Sequence, residues 1–81
     1  MSASTASELF DSWGPNVMTP YRVAVRDTPE RFVELSEGTG MEGRPIWGVT
    51  AVLRDSLVVD QEWSGLFHSR GDAEEAFLSV P

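Results

Sequence analysis

Residues 46–53 place Trp47, Val49, Ala51 and Leu53 on one face of an extended backbone, and so apolar a strand belongs in the middle of a sheet. A chain of 81 residues can wrap one hydrophobic core around that strand and has no room for a second. Cysteine is absent, so no disulfide supports the fold. The core must come from large side chains, of which the chain has three Trp, four Phe and one Tyr.

The neighbouring segments supply partners for this strand. Tyr21, Val23 and Val25 alternate with Arg22, Ala24 and Arg26, the pattern of a half-buried strand. After an Arg54-Asp55-Ser56 turn, Leu57, Val59 and Trp63 alternate with Val58, Asp60 and Glu62, which predicts that residues 57–63 return as a hairpin strand. Residues 27–38 admit two readings. Thr28 as N-cap, Pro29 at the first helical position and Gly38 beyond the end describe a helix over 29–37. The run Arg31-Phe32-Val33-Glu34-Leu35 instead describes a strand folding back on the first through a Thr28-Pro29 turn, and this reading is preferred. Near the end, Ala73, Ala76, Phe77 and Val80 fall at i, i+3, i+4 and i+7 behind Ser69, which has the spacing of a cap.

The expected fold is therefore α+β, a three- to four-stranded antiparallel sheet with the C-terminal helix packed across it; the alternative order is β-α-β-β-α. Residues 21–81 form the single domain and residues 1–20 an arm, partly disordered or a short helix. Ser4 or Thr5 can cap a helix over 6–13 that Gly14 and Pro15 stop. A helix so short persists only when Leu9, Phe10 and Trp13 dock on the core or on a partner.

Charge narrows the functions available. The formal net charge is −7 and all six basic residues are Arg, which argues against direct nucleic-acid binding, because a duplex is held by a positive footprint that displaces counterions. Without cysteine there is no thiol catalysis and no thiolate metal site. The first residues carry neither a basic nor an apolar signal region and no stretch is long enough to span a bilayer, so a cytoplasmic protein with no membrane partner is expected.

Four constellations bear on chemistry. Gly38-Thr39-Gly40-Met41-Glu42-Gly43 has the Gly-x-Gly-x-x-Gly spacing of a dinucleotide loop, but Arg44-Pro45 leads into a strand where that motif needs a helix N-terminus for the pyrophosphate. His68 is the only histidine and lies near Ser69 and Asp72, yet a triad needs a hydrogen-bonded line of three groups and an oxyanion hole. Arg22 and Arg26 on one strand face, with Arg54 nearby, have the makings of an anion grip, or simply pair with neighbouring Glu. Asp60 and Glu62, together with Asp72, Glu74 and Glu75, form an acidic patch if the hairpin and the last helix adjoin, although no calcium-loop spacing is present.

No cofactor or metal is expected. The leading reading is a small acidic, non-enzymatic protein-interaction module, an inhibitor or regulator that meets a basic protein surface through Asp60, Glu62, Asp72, Glu74 and Glu75, through Leu9, Phe10 and Trp13, or both. In size and acidity, though in no motif, it is similar to the small inhibitors of phages and mobile elements, including anti-CRISPR proteins and DNA mimics. Two alternatives stand beside it: a ligand-binding or enzymatic domain using His68 and surface arginines, and a self-associating structural protein that forms a homodimer.

Overall fold

The computed structural model describes residues 5–81. Helix α1 (Ala6–Trp13) precedes strands β1 (Tyr21–Asp27), β2 (Arg31–Thr39), β3 (Pro45–Leu53) and β4 (Gly65–Phe67), and helix α2 (Arg70–Ser79) follows. The strands form one antiparallel sheet in the order β1-β2-β3-β4. The α+β architecture with a C-terminal helix is as expected, and the segment after Thr28 is a strand. Thr28 anchors that turn: its hydroxyl accepts from the amide of Arg31 at 2.9 Å, a bond a helix cap would also make, but its own amide donates to the carbonyl of Arg31 at 2.9 Å and residues 31–39 pair with β3 along their whole length.

Both faces of the sheet are covered, one by each helix. On the α2 face Val33, Leu35, Val49 and Ala51 pack with Ala73, Phe77 and Val80, the stripe that the helical spacing predicts. On the opposite face Phe32 and Val52 meet Ala6, Leu9 and Phe10 of α1. This explains why β2 and β3 bury consecutive residues where a one-sided sheet would alternate. Thr5 caps α1 by accepting from the amide of Glu8 at 3.2 Å, and Gly14, at φ 75°, ends it. Ser4, the other candidate cap, lies outside the described residues. Helix α2 begins at Ser69, whose hydroxyl accepts from the amide of Asp72. Its C-terminal carbonyls, on Phe77 and Val80, accept from the Arg26 guanidinium, a cation where the helix dipole favours one.

Two local readings are corrected. Residues 57–63 do not form a strand. The chain leaves the turn with Leu57 at φ 57°, touches β3 at a single Val52–Val59 bridge, and then detours through a 3-10 turn, Gln61–Trp63. Side chains that compete for backbone groups drive the detour. The Asp60 carboxylate accepts from the amide of Glu62 at 3.2 Å. The Ser64 hydroxyl accepts from the amide of Ala51 at 2.9 Å and donates to the carbonyl of Asp60 at 2.8 Å, taking the ladder position a strand backbone would have filled. Pairing with β3 resumes only at Gly65–Phe67.

The second correction concerns the arginines of β1. The register slips between Arg22 and Ala24, leaving Val23 as a bulge. A bulge reverses the alternation, so Arg22 and Arg26 lie on opposite faces: Arg22 reaches Asp11 of α1 at 2.6 Å, while Arg26 lies over the Phe77 ring of α2 at 5.7 Å. The expected anion grip is not assembled.

Between α1 and β1 the connection crosses the α1 face of the sheet, where Thr19 is buried. It fits because the strands beneath carry glycine. A Cβ on Gly38 would stand 2.5 Å from the carbonyl oxygen of Met18, and one on Gly48 3.1 Å from the Thr19 side chain.

Candidate functional site

The carboxylates divide into those used to hold the fold and those left for solvent or a partner. Asp60 belongs to the first group. Its carboxylate accepts from Arg31 Nε at 2.9 Å, with side chains only 13% and 15% exposed, and the same guanidinium donates to the carbonyl of Pro81. Asp27 accepts from the first amide of α1 at 2.9 Å and from Arg54 at 3.0 Å. Asp11 and Glu34 both bind Arg22. The hydrogen bond that Arg22 donates to Asp11 raises the Arg22 pKa above its ordinary value. Glu37 accepts from the indole of Trp47 at 3.1 Å.

Like Glu37, whose carboxylate is held by an indole, the carboxylates of Asp55, Glu62, Asp72 and Glu75 are in no ion pair among the described residues. All four are exposed. Glu74 is partly offset, since it accepts from Arg70 at 2.7 Å one turn away, which raises the Arg70 pKa. The expected acidic patch is therefore revised. Asp60 is committed to Arg31, and Glu62 stands on the 3-10 turn rather than beside Asp60 on a strand face. Asp72 and Glu75 remain as free charges on the outer side of α2.

This division predicts a contrast in stability. Asp60→Ala strands a largely buried guanidinium and should lower the free energy of unfolding by about 1–3 kcal/mol, whereas Glu75→Gln should stay within about 0.5 kcal/mol of the parent. Urea melts of the two variants check it; equal midpoints would show that Asp60 is not structural.

The arginines are likewise spent inside. Arg22, Arg26, Arg31 and Arg54 bind carboxylates or carbonyls of their own chain, and the Arg54 guanidinium also lies 4.2 Å over the Phe32 ring. Arg44 is the most exposed, at 3.9 Å from Glu42.

Of the arm aromatics, Leu9 and Phe10 are 3% and 2% exposed and serve the chain's own core, so they cannot act as partner anchors without α1 coming off. Trp13 remains 47% exposed, its ring edge-to-face with Phe10 at 5.7 Å. The Ser69 hydroxyl is the cap of α2, bonded to the amide of Asp72, and is not lined up with His68 as a nucleophile. The glycine loop closes through the amide of Gly40 donating to the carbonyl of Arg44 at 2.7 Å, and runs straight into β3. It offers phosphate no helix terminus. Among the described residues no group of three or more His, Asp or Glu side chains is placed to hold a metal, and no helix is long and apolar enough to cross a membrane.

Two clefts flank the connection between α1 and β1. One, of about 230 Å³, has a mixed lining in which Phe10, Pro15 and Pro20 stand beside Asp11, Arg22 and Glu34, whose charges already answer one another. The other, of about 410 Å³, is apolar and was not foreseen. Met18, Met41, Ile46 and Leu66 line it, with Glu42 and His68 at its wall. These side chains come from four separate segments, so only the fold unites them. The one hint in the sequence was the glycine at positions 38 and 48, which signals a backbone lying close over the sheet and so carries Met18 to the cleft. No family model matches this chain, and the searches of curated proteins and of solved structures return no match either.

Proposed function

We propose that this chain is a small acidic, non-enzymatic protein-interaction module, an inhibitor or regulator that binds a basic surface of another protein. The observation that carries the reading is the uneven use of charge. Four arginines are drawn into contacts with their own chain, while Asp72 and Glu75 stand exposed and unpaired on α2. Within a net charge of −7, such carboxylates give a field that attracts and orients a positive surface. Losing them should cost the fold little, at most the about 0.3–1 kcal/mol that an acid in the first turn of α2 contributes at Asp72, which separates them from Asp60. The absence of cysteine fits action in the cytoplasm.

Charge reversal tests this directly. The double variant D72K/E75K, immobilised beside the parent in host extract at low salt, should remain folded, giving up about 1 kcal/mol for the lysine in the first turn of α2, and lose the captured protein at least tenfold. Capture from the parent should also weaken as salt is raised, because exposed charges are screened beyond about 8 Å at physiological ionic strength. A variant that keeps the same partner with the same affinity refutes the reading.

A further inference from the structure

Beyond that reading, we infer that β1 is a docking edge: it takes an extended segment of a partner protein as an added strand, with one apolar side chain of that segment in the groove between β1 and α2. Strand β1 is the outer strand of the sheet and has a neighbour only on its β2 side. Which of its main-chain groups face outward follows from bonds elsewhere in the sheet. Ala51 of β3 turns its amide to Ser64 and its carbonyl to the amide of Asp60, away from β2. Its partner Val33 therefore turns towards β1, where Arg26 answers it. Alternation then leaves the N–H and C=O of Val25 and Asp27 pointing out of the sheet. Among the described residues no hydrogen bond reaches these groups. Donors and acceptors at this spacing are the complement of one more strand, which names the kind of occupant.

The groove says what that strand carries. Ala24 packs on the α2 face of the sheet and Val25 on the α1 face. A guest residue opposite Ala24 thus stands on the α2 face, beside a groove of about 210 Å³. Val23, Ala24, Leu35, Phe77 and Leu78 line it together with Arg70 and Glu74, whose charges pair at 2.7 Å. With those two answering each other, an apolar guest side chain fits and a charged one finds no free partner. It would cover Val23 and Leu78, which are 37% and 66% exposed. A second copy of β1 is a poor guest in every antiparallel register that uses the outward groups. Paired about Val25, the bulged Val23 falls opposite Asp27 and breaks the ladder. With Val25 set against Asp27, Arg26 directly opposes the other copy's Arg26. With Asp27 against its counterpart, like charges meet and Pro29, which has no N–H, falls opposite Val25. The occupant is therefore a segment of a different protein.

The test uses the full chain labelled at its backbone amides and a capped, uncharged peptide, Thr-Val-Thr-Leu-Thr-Val-Thr. Binding should be saturable and should slow hydrogen exchange at the Val25 and Asp27 amides at least tenfold. When Leu stands opposite Ala24, the Thr amides face β1. The peptide N-methylated at Thr should therefore bind at least tenfold more weakly, whereas the one N-methylated at Val and Leu should bind much as the parent peptide does. Ser in place of Leu should cost at least tenfold, and L78S, at an exposed position of the protein, should weaken binding several-fold with the chain still folded. Unprotected Val25 and Asp27 amides, or equal affinities of the two methylated peptides, overturn the inference. So does a Ser peptide that binds as tightly as the parent, because the groove then selects nothing. Protection that appears on concentrating the chain alone would make a second copy the occupant and overturn it as well. D72K/E75K should bind the uncharged peptide as the parent does, so none of these failures touches the acidic-surface reading.

Discussion

Phe32→Ala is expected to lower the free energy of unfolding by about 3–5 kcal/mol and to detach helix α1 from the sheet. Phe32 is 2% exposed and is the sheet's central contact for Ala6, Leu9 and Phe10. The ring also carries the Arg54 guanidinium at 4.2 Å, so truncation removes a cation–π contact together with the buried area. Because α1 has only eight residues, it cannot stay helical once its docking surface is a cavity. Domains of this kind are stable by only about 0.05–0.15 kcal/mol per residue, so the loss is a large part of the total. A chemical melt followed by far-ultraviolet circular dichroism reads both effects. A loss below about 1 kcal/mol with unchanged helix content would mean that α1 does not depend on this face.

Gly38→Ala should cost about 1–3 kcal/mol, a large effect for one methyl group. The added Cβ would meet the carbonyl oxygen of Met18 at 2.5 Å, Pro20 Cδ at 2.6 Å and Thr19 Cα at 2.9 Å. Two of those atoms are backbone and the third belongs to a rigid ring, so no side chain can swing aside. The connection after α1 has to lift, taking Met18 from the cleft. The same substitution at Gly43, where nothing lies within 4 Å of an added Cβ but φ is +74°, should cost only the backbone strain of about 1 kcal/mol and leave Met18 in place. Thermal melts of the two variants, with the Met18 methyl resonance as reporter, distinguish a steric cause from a conformational one. An undisturbed Met18 in Gly38→Ala would contradict the packing described here.

How far the sequence reveals this fold depends on whether the deciding interaction is local. The alternation from Tyr21 to Val25, the run through β3 and the spacing of Ala73, Ala76, Phe77 and Val80 each follow one backbone period, and each element lies where the period puts it. The detour after Val59 does not, because a Ser64 hydroxyl bonded to Ala51, thirteen residues away, replaces strand pairing there. Nor does the bulge at Val23, where one extra residue turns Arg22 towards α1. Asp60 looked like surface charge until its partner, Arg31, was placed beside it by the β2–β3 pairing. For the site, Asp72 and Glu75 were legible as an acidic helix start. The cleft was not, since Met18, Met41 and Leu66 belong to three segments whose meeting only the sheet arranges.

The partner is expected on the outer side of α2, over the unpaired Asp72 and Glu75. A heteronuclear correlation map of the labelled chain, recorded with and without the captured partner, tests that placement in one measurement. The prediction is that perturbed resonances cluster on α2 at Asp72, Glu75 and their neighbours. Perturbation centred instead on the free edge of β1 at Tyr21 and Val23, or on Trp13, with α2 silent, would contradict it.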